Sequence, residues 1–305
     1  MQRRHFNTGL ALALGFALDR AIGQKILGPT PDAWRRVEKD SQGRLGVAVL
    51  DTATGRTEGH RLDERFPMCS TFKWLLASAV LRRVADGGDR LDALVAYGPD
   101  ALLEYAPATR QHVGDGMTVA ALCEAAVTLS DNTAANVLLA RLGGPAAVTR
   151  EARRLGDGVS RLDRTEPELN IVSAGDLRDT TTPRAMGAAL RKAALGDGLT
   201  DAGRAQLVAW MAATQTGLQR LRGGIPADWR GADKTGSWGG LKHGNVSDDV
   251  AILWPPQRAP LVVTAFLAEC DAPGEHRDAT LAEVARVVVA QMQATTTTRA
   301  MPKAQ

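Results

Sequence analysis

The sequence predicts an α+β fold, with an antiparallel five-stranded sheet flanked by helices and packed against an all-helical lobe. Three observations carry this prediction. Strand-like segments cluster toward the two ends of the chain, the long middle is helical in period, and a helical segment follows the last strand. Residues 44–51 alternate as a strand does, and a second strand follows Gly55. From Ser70 to about Trp210 the pattern is helical, broken by Gly87-Gly88, by Gly143-Gly144-Pro145 and by the polar stretch 161–179. Residues 232–237, 246–254 and 261–268 read as the remaining strands, and 277–292 as a closing helix on the sheet. This places an α/β lobe at about 30–65 and 213–292 and a helical lobe at about 66–212, in one unit spanning 30–292. The cleft between two such lobes is a favoured ligand site.

Composition suits a compact enzyme. The 305 residues are 44% hydrophobic and 23% charged, enough for a full core, and the formal net charge is only +3. No basic patch interleaved with aromatics points to nucleic acid, and no apolar run of about 18 residues points to a membrane span. His5, His60, His112, His243 and His276 are scattered without metal-ligand spacing, so neither metal nor cofactor is expected. A monomer is expected.

Chemistry enters through four short motifs in a fixed order: Ser70-Thr-Phe-Lys73, Ser130-Asp131-Asn132, Glu166-Pro-Glu-Leu-Asn170 and Lys234-Thr235-Gly236. Together they supply a nucleophile with a nearby amine, a second hydroxyl, a carboxylate, and a cation beside a strand that can line a substrate. A Ser followed three residues later by Lys is expected roughly once by chance in a chain this long. Of the eight serines, however, only Ser70 has that Lys, and the other motifs follow it in order.

Ser70 by itself reads equally as a helix N-cap, because Phe66-Pro67-Met68-Cys69 interrupts any earlier helix and an apolar helical run begins just after it. Both readings place the hydroxyl near the positive end of a helix, where developing negative charge is favoured. Phe72, Trp74, Leu75, Leu76, Ala79, Val80 and Val84 recur with helical period, so a buried helix is predicted over 71–85 with Ser70 and Lys73 on neighbouring turns. A Lys in such surroundings can lose its proton and act as a base, or stay charged and stabilise an alkoxide. A surface position on the polar stripe is the commoner fate of helical lysines.

At these residues the chain resembles the class A serine β-lactamases, whose motif set is S-x-x-K, S-D-N and K-T-G with an additional catalytic Glu. The resemblance runs from about Arg44 to about Ala290 and includes Asp115-Gly-Met-Thr118 and Asp131-Asn-Thr-Ala-Ala-Asn136. It implies that Ser70 attacks the lactam carbonyl and that the N–H groups of Ser70 and Ser237 hold the oxyanion. Ser130 would pass a proton to the leaving nitrogen, helped by Lys73 and Lys234. Asn132 would bind the acylamide side chain, and Lys234, Thr235, Gly236 and Ser237 the substrate carboxylate. Tyr105 resembles the aromatic wall at the substrate entrance. Arg220 resembles the carboxylate-binding cation, since Lys242, His243, Gly244 and Asn245 of the following strand include no Arg. Taken alone, Tyr105 is an exposed loop aromatic and Arg220 a surface Arg.

Glu166 separates the implied activities. A D-alanyl-D-alanine carboxypeptidase or transpeptidase, or a non-hydrolysing β-lactam receptor, shares the other motifs but lacks a carboxylate that activates water. The stretch 161–179 is a long polar loop of the kind that is usually functional. The resemblance implies that it positions Glu166 and Asn170 around a water, with Arg164 and Asp179 as a bidentate pair closing its neck. The implied function is hydrolysis of penicillins and cephalosporins. Trp238 replaces the small residue common in the family, and Ala77 and Trp238 replace cysteines that pair in some members. Cys69, Cys123 and Cys270 are therefore expected to be free and buried.

At the N-terminus, Arg3-Arg4-His5-Phe6 precedes a short apolar stretch and small residues near 21–23. Residues 1–23 read as a cleaved export signal, of twin-arginine type before general secretory type, implying a periplasmic or secreted protein. Residues 295–305 read as a disordered tail.

Overall fold

The computed structural model describes residues 31–300 except 172, 174 and 240–243, with backbone alone for 294–300. The expected export segment, Lys242, His243 and the last five residues lie outside this range.

Helix α1 (Pro31–Ser41) leads into β1 (Arg44–Asp51) and β2 (Thr57–His60). After a two-residue strand β3 (Phe66–Pro67) come α2 (Phe72–Ala85), the short strands β4 (Leu94–Val95) and β5 (Met117–Thr118), then α3 (Val119–Thr128), α4 (Asn132–Arg141) and α5 (Ala146–Arg154). Strand β6 (Thr180–Thr181), α6 (Pro183–Leu195) and α7 (Asp201–Ala212) follow, and β7 (Arg230–Trp238), β8 (Asn245–Trp254), β9 (Leu261–Cys270) and α8 (Gly274–Ala300) complete the chain.

The main sheet has the order β2-β1-β9-β8-β7, and every neighbouring pair is antiparallel. This is the predicted α+β architecture, with the sheet drawn from both ends of the sequence. The central strands β8 and β9 are buried on both faces, so their period of two sorts side chains between two cores. Ala251, Leu253, Val263, Ala265 and Leu267 join Trp34, Val37, Leu281, Val284 and Val288 beneath α1 and α8. Val250, Ile252, Val262 and Phe266 join the larger cluster built around Phe72, Trp74, Leu75 and Leu76 of α2.

Helix α2 is buried almost all round because α3, α4, α5 and α7 pack against it. At its outer end Glu151 of α5, itself buried, accepts hydrogen bonds from Ser78 and from two nitrogens of Arg82, pinning α2 to α5. Strand β7 is one edge of the sheet, opposite β2, and it packs against the turn Cys69–Thr71 that precedes α2.

Two helix boundaries differ from the prediction. The helix over the nucleophile starts at Phe72 and is preceded by a 3-10 turn, Cys69–Thr71, whose residues make no side-chain cap. Ser70 is therefore not an N-cap, and its hydroxyl is left to other partners. The closing helix, predicted over 277–292, spans Gly274–Ala300. Once a helix is nucleated by a packed segment, each further residue adds a hydrogen bond for the ordering of only one residue, and Thr is a mild breaker.

The loop between α5 and α6 is tied at both ends. Strand β6 pairs with β3, and Asp179 accepts hydrogen bonds on Oδ1 from the Asp163 and Arg164 amides at 2.7 and 3.0 Å. Arg164 reaches Asp179 through Nε, at 2.6 Å, while its Nη2 is buried with no hydrogen-bond partner among the described residues. The pair is thus single-ended where a bidentate one was expected, because Oδ1 is already occupied by the two amides. The Asp179 carbonyl in turn accepts from the Met68 amide at 2.9 Å, so the neck is joined to the approach of Ser70.

Asp179→Asn keeps the shape of this knot but removes its charge. It is expected to lower the unfolding free energy by about 2 kcal/mol and to speed hydrogen exchange at the Asp163 and Arg164 amides. Unaltered exchange at both amides would show that the charge does not hold the neck.

Candidate active site

Ser70 sits on the 3-10 turn directly behind Cys69, a non-glycine residue held at a φ of 40°. That turn aims the hydroxyl across the cleft. Ser70 Oγ accepts from Lys73 Nζ at 2.9 Å and donates to Glu166 Oε1 at 3.3 Å.

Lys73 is fully buried, not on a polar stripe. Its Nζ lies 2.8 Å from the Ser130 carbonyl, 2.5 Å from Asn132 Oδ1 and 3.0 Å from Glu166 Oε1, with Ser130 Oγ at 3.5 Å. Burial holds this ammonium below the ordinary lysine range, and the charge of Glu166 opposes the shift. An amine so placed can carry or release a proton close to Ser70.

The Ser130 turn is built for this purpose. Asp131 caps α4, with Oδ1 accepting from the Ala134 amide at 2.8 Å and Oδ2 from the Ala108 and Thr109 amides. Ser130 itself takes a φ of 59°, turning its carbonyl toward Lys73. From the sheet side, Lys234 Nζ donates to Ser130 Oγ at 3.0 Å and to the Thr235 carbonyl at 2.8 Å. Burial, reinforced by the charge of Lys73, drives the Lys234 ammonium well below its usual range.

Glu166 is buried, and Asn170 Nδ2 holds its Oε2 at 2.7 Å. Asn170 Oδ1 is also buried, with no protein partner among the described residues. Asn136 of α4 clamps the Glu166 main chain from both sides, its Oδ1 accepting from the Glu166 amide at 3.0 Å and its Nδ2 donating to the carbonyl at 2.8 Å.

At the far end of β7, Arg220 is buried and engaged through all three of its nitrogens. Nε meets Asp278 Oδ1 at 2.7 Å, Nη1 donates to the carbonyls of Gly236 and Asp248, and Nη2 donates to Ser237 Oγ at 2.7 Å. Thr235 Oγ1 pairs with Thr216 Oγ1 at 2.7 Å. Gly236 is required by space, since a Cβ there would lie 2.9 Å from the Met68 carbonyl. Tyr105 is about half exposed at the rim, and its carbonyl accepts from the Asn132 amide. Trp238 is partly buried against the larger core. Cys69, Cys123 and Cys270 are free and buried. Among the described residues no cluster of His, Cys, Asp or Glu is arranged for a metal, and no helix is long and apolar enough to cross a membrane.

The sequence motifs assign no role to Asn136, Asp131 or Thr216. Asn136 had one available signal: four residues after Asn132, it falls on the same face of α4.

A hydroxyl bonded to a buried amine, a second hydroxyl between two lysines and a loop carboxylate in one cleft form an arrangement suited to serine acyl transfer and hydrolysis. The model of the Beta-lactamase enzyme family matches residues 31–292. The chain is 49% identical over 253 residues to β-lactamase AST-1 of Nocardia asteroides, covering 83% of this chain and 80% of that one. To β-lactamase L2 of Stenotrophomonas maltophilia it is 46% identical over 300 residues, covering 94% and 98%. The solved structure of an ancestral (GNCA) class A β-lactamase superposes with a TM-score of 0.82 at 59% identity, covering 85% and 98%. The chain belongs to the class A β-lactamase family and is a hydrolase of the β-lactam amide bond.

Asn136→Ala removes the clamp but no group within reach of Ser70. A displacement of Glu166 by about 1 Å is expected to lower kcat on the order of a hundredfold. Steady-state kinetics with a penicillin check this, and an unchanged kcat would show that the loop positions Glu166 without Asn136.

Proposed function

We propose that this protein hydrolyses penicillins and cephalosporins through an acyl-enzyme on Ser70, which a water activated by Glu166 then releases, and that this confers resistance. The observation that carries the reading is Glu166 Oε1, within reach of both Ser70 Oγ and Lys73 Nζ while Asn170 secures Oε2.

In acylation, Ser70 Oγ bonds to the lactam carbonyl carbon and gives its proton to the base, for which both Lys73 and Glu166 are within reach. The N–H groups of Ser70 and Ser237 hold the oxyanion. As the C–N bond breaks, the nitrogen takes a proton from Ser130, which Lys73 and Lys234 flank. In deacylation, Glu166 accepts a proton from water, the water oxygen bonds to the ester carbon, and Ser70 Oγ leaves with a proton. Asn170 Oδ1 supplies a free acceptor for that water. Asn132 and Tyr105 flank the acyl side chain. Lys234, Thr235, Gly236, Ser237 and Arg220 form the corner that takes the substrate carboxylate.

This reading treats residues 30–292 as a single catalytic domain, working as a monomer behind the export signal at 1–23. The paired arginines are the basis for assigning twin-arginine export to the periplasm or beyond. Replacing Arg3 and Arg4 by Lys is expected to leave the protein inside the cell; undiminished export would point to the general secretory route.

Intact-protein mass spectrometry of the enzyme mixed with a penicillin tests the chemistry. A short-lived adduct on the wild type and a lasting one on Glu166→Ala are expected, with ring-opened product from the wild type alone. A lasting adduct on both would instead indicate a penicillin-binding or receptor protein.

A further inference from the structure

Asp248 interrupts an otherwise apolar face of strand β8. On β8 its neighbours on the same face, Val246, Val250 and Ile252, all belong to the larger core. Asp248 is fully buried, and neither carboxylate oxygen has a hydrogen-bond partner among the described residues. Buried carboxyls are ordinarily paired, so one with two open oxygens calls for an explanation.

Its surroundings tie it to the cleft. Asp248 pairs in register with Gly236. Its Oδ2 lies 3.1 Å from the point where a Cβ on Gly236 would stand, and Thr71 Cγ2 and the Met68 carbonyl crowd the same point. Its main-chain carbonyl accepts from Arg220 Nη1 at 2.9 Å. The carboxyl therefore lies beneath the strand that carries Ser237, between the nucleophile turn and Arg220.

The groups whose charge or polarity acts on it can be named. Arg220, whose Nη1 meets the Asp248 main-chain carbonyl, is the cation whose charge acts on the carboxyl, and Asp278 of α8 already occupies Arg220 Nε. The Cys69 thiol approaches from the nucleophile turn, and Asp249 follows on the same strand. The Leu267 amide of β9 is near enough to favour the charged form without meeting hydrogen-bond geometry. Burial pushes the carboxyl well above the usual carboxylate range, with Asp249 adding to the shift and Arg220 opposing it.

We propose that Asp248 is a specificity-determining residue acting through Arg220: as the uncharged acid it leaves the Arg220 charge to an anionic substrate group at Ser237, and as the carboxylate it competes with that group. Ionisation simply releases the carboxyl proton to solvent. The inference rests on the reading of Arg220 and Ser237 as the carboxylate-binding corner.

The linkage has a definite sign. A carboxyl whose folded pKa is raised keeps its proton in the native state after the unfolded chain has lost it. Its contribution to stability is complete below the unfolded value near 4 and declines as pH rises toward the folded value. Asp248→Asn has the shape of the neutral acid and cannot ionise. Its melting temperature should match the wild type near pH 4 and exceed it increasingly toward neutral pH.

The test combines that melting series with kcat and KM for a penicillin and its methyl ester from about pH 6 to about pH 10. In the wild type, KM for the free acid is expected to rise on the order of tenfold in alkali, while KM for the ester does not. In Asp248→Asn this difference should vanish, with the change confined to KM. A rise that persists in the variant, its absence from the wild type, or a melting difference flat with pH would each overturn the proposal. The Asp248 carboxyl carbon resonance reads the proton without any substitution, and an ionised signal at neutral pH would also overturn it. Arg220→Ala separates the two readings. If it raises KM equally for acid and ester, the carboxylate corner itself is misassigned; if it acts on the acid alone while Asp248→Asn changes nothing, only the role of Asp248 falls.

Discussion

A lysine with no solvent exposure must be surrounded by oxygen atoms, and Lys73 imposes that requirement on the whole cleft. Its ammonium meets Ser70 one turn back on its own segment, Ser130 and Asn132 at the start of α4, and Glu166 on the loop between α5 and α6. Three segments distant in sequence have to converge on one nitrogen. Each does so with a backbone conformation that L side chains avoid: Cys69 at a φ of 40°, Ser130 at 59° and Asp179 at 57°. Such positions cost on the order of 1–3 kcal/mol each, and they persist because the surrounding core over-determines them. The strain thus lies beside the nucleophile, at the carbonyl offered to Lys73, and at the hinge of the loop that carries Glu166.

The second buried lysine follows from the first. Lys73 and Lys234 approach the same Ser130 hydroxyl, from α2 and from β7, and two ammoniums sharing one dry neighbourhood disfavour each other's charge. Acidic groups on the sheet moderate this. Asp233 and Asp249 raise the proton affinity of Lys234, while burial pushes the Asp233 carboxyl up to about 6 despite its contact with Arg222. Both ammoniums of the cleft are therefore held below the ordinary lysine range. A hydroxyl alone gives up its proton reluctantly near neutral pH, and a hydroxyl between two such amines has a nearby source and sink.

What could be read beforehand was what depends on short spacing. Helix α2, the sheet strands and the order of the four motifs are periodicity and local sequence, and they were legible. The resemblance supplied the assembly of those motifs, which no single segment encodes. Less legible were features set by competition among distant groups. Ser70 looks like a cap until the turn before it is seen to be 3-10. Arg164 looks bidentate until two amides occupy Asp179 Oδ1. Asn136 is one more polar residue on a helix until the Glu166 peptide arrives beside it. The burial of Asp248 and Asp249 is likewise a product of tertiary packing, because sequence alone does not show that β8 is covered on both faces.

The two halves of the cleft are held by different physical means, and this separates the steps they serve. The β7 side is a sheet edge, braced by ladder hydrogen bonds to β8 and by an Arg whose planar fork spans a carboxylate, two strand carbonyls and a hydroxyl at once. A Lys in its place could not satisfy that set, since its donors radiate from one atom. The Glu166 side is a loop, held by a neck at Asp179 and a clamp at Asn136 instead of by a ladder. A ladder fails only if many bonds break together, whereas a loop shifts when one tie is lost. On the proposed mechanism, changes on the sheet side should therefore register in the binding of the substrate's anionic group, and changes in the loop ties in the release of the acyl-enzyme. Lys73 joins the halves, because it lies between the loop carboxylate and the hydroxyl that Lys234 holds from the sheet.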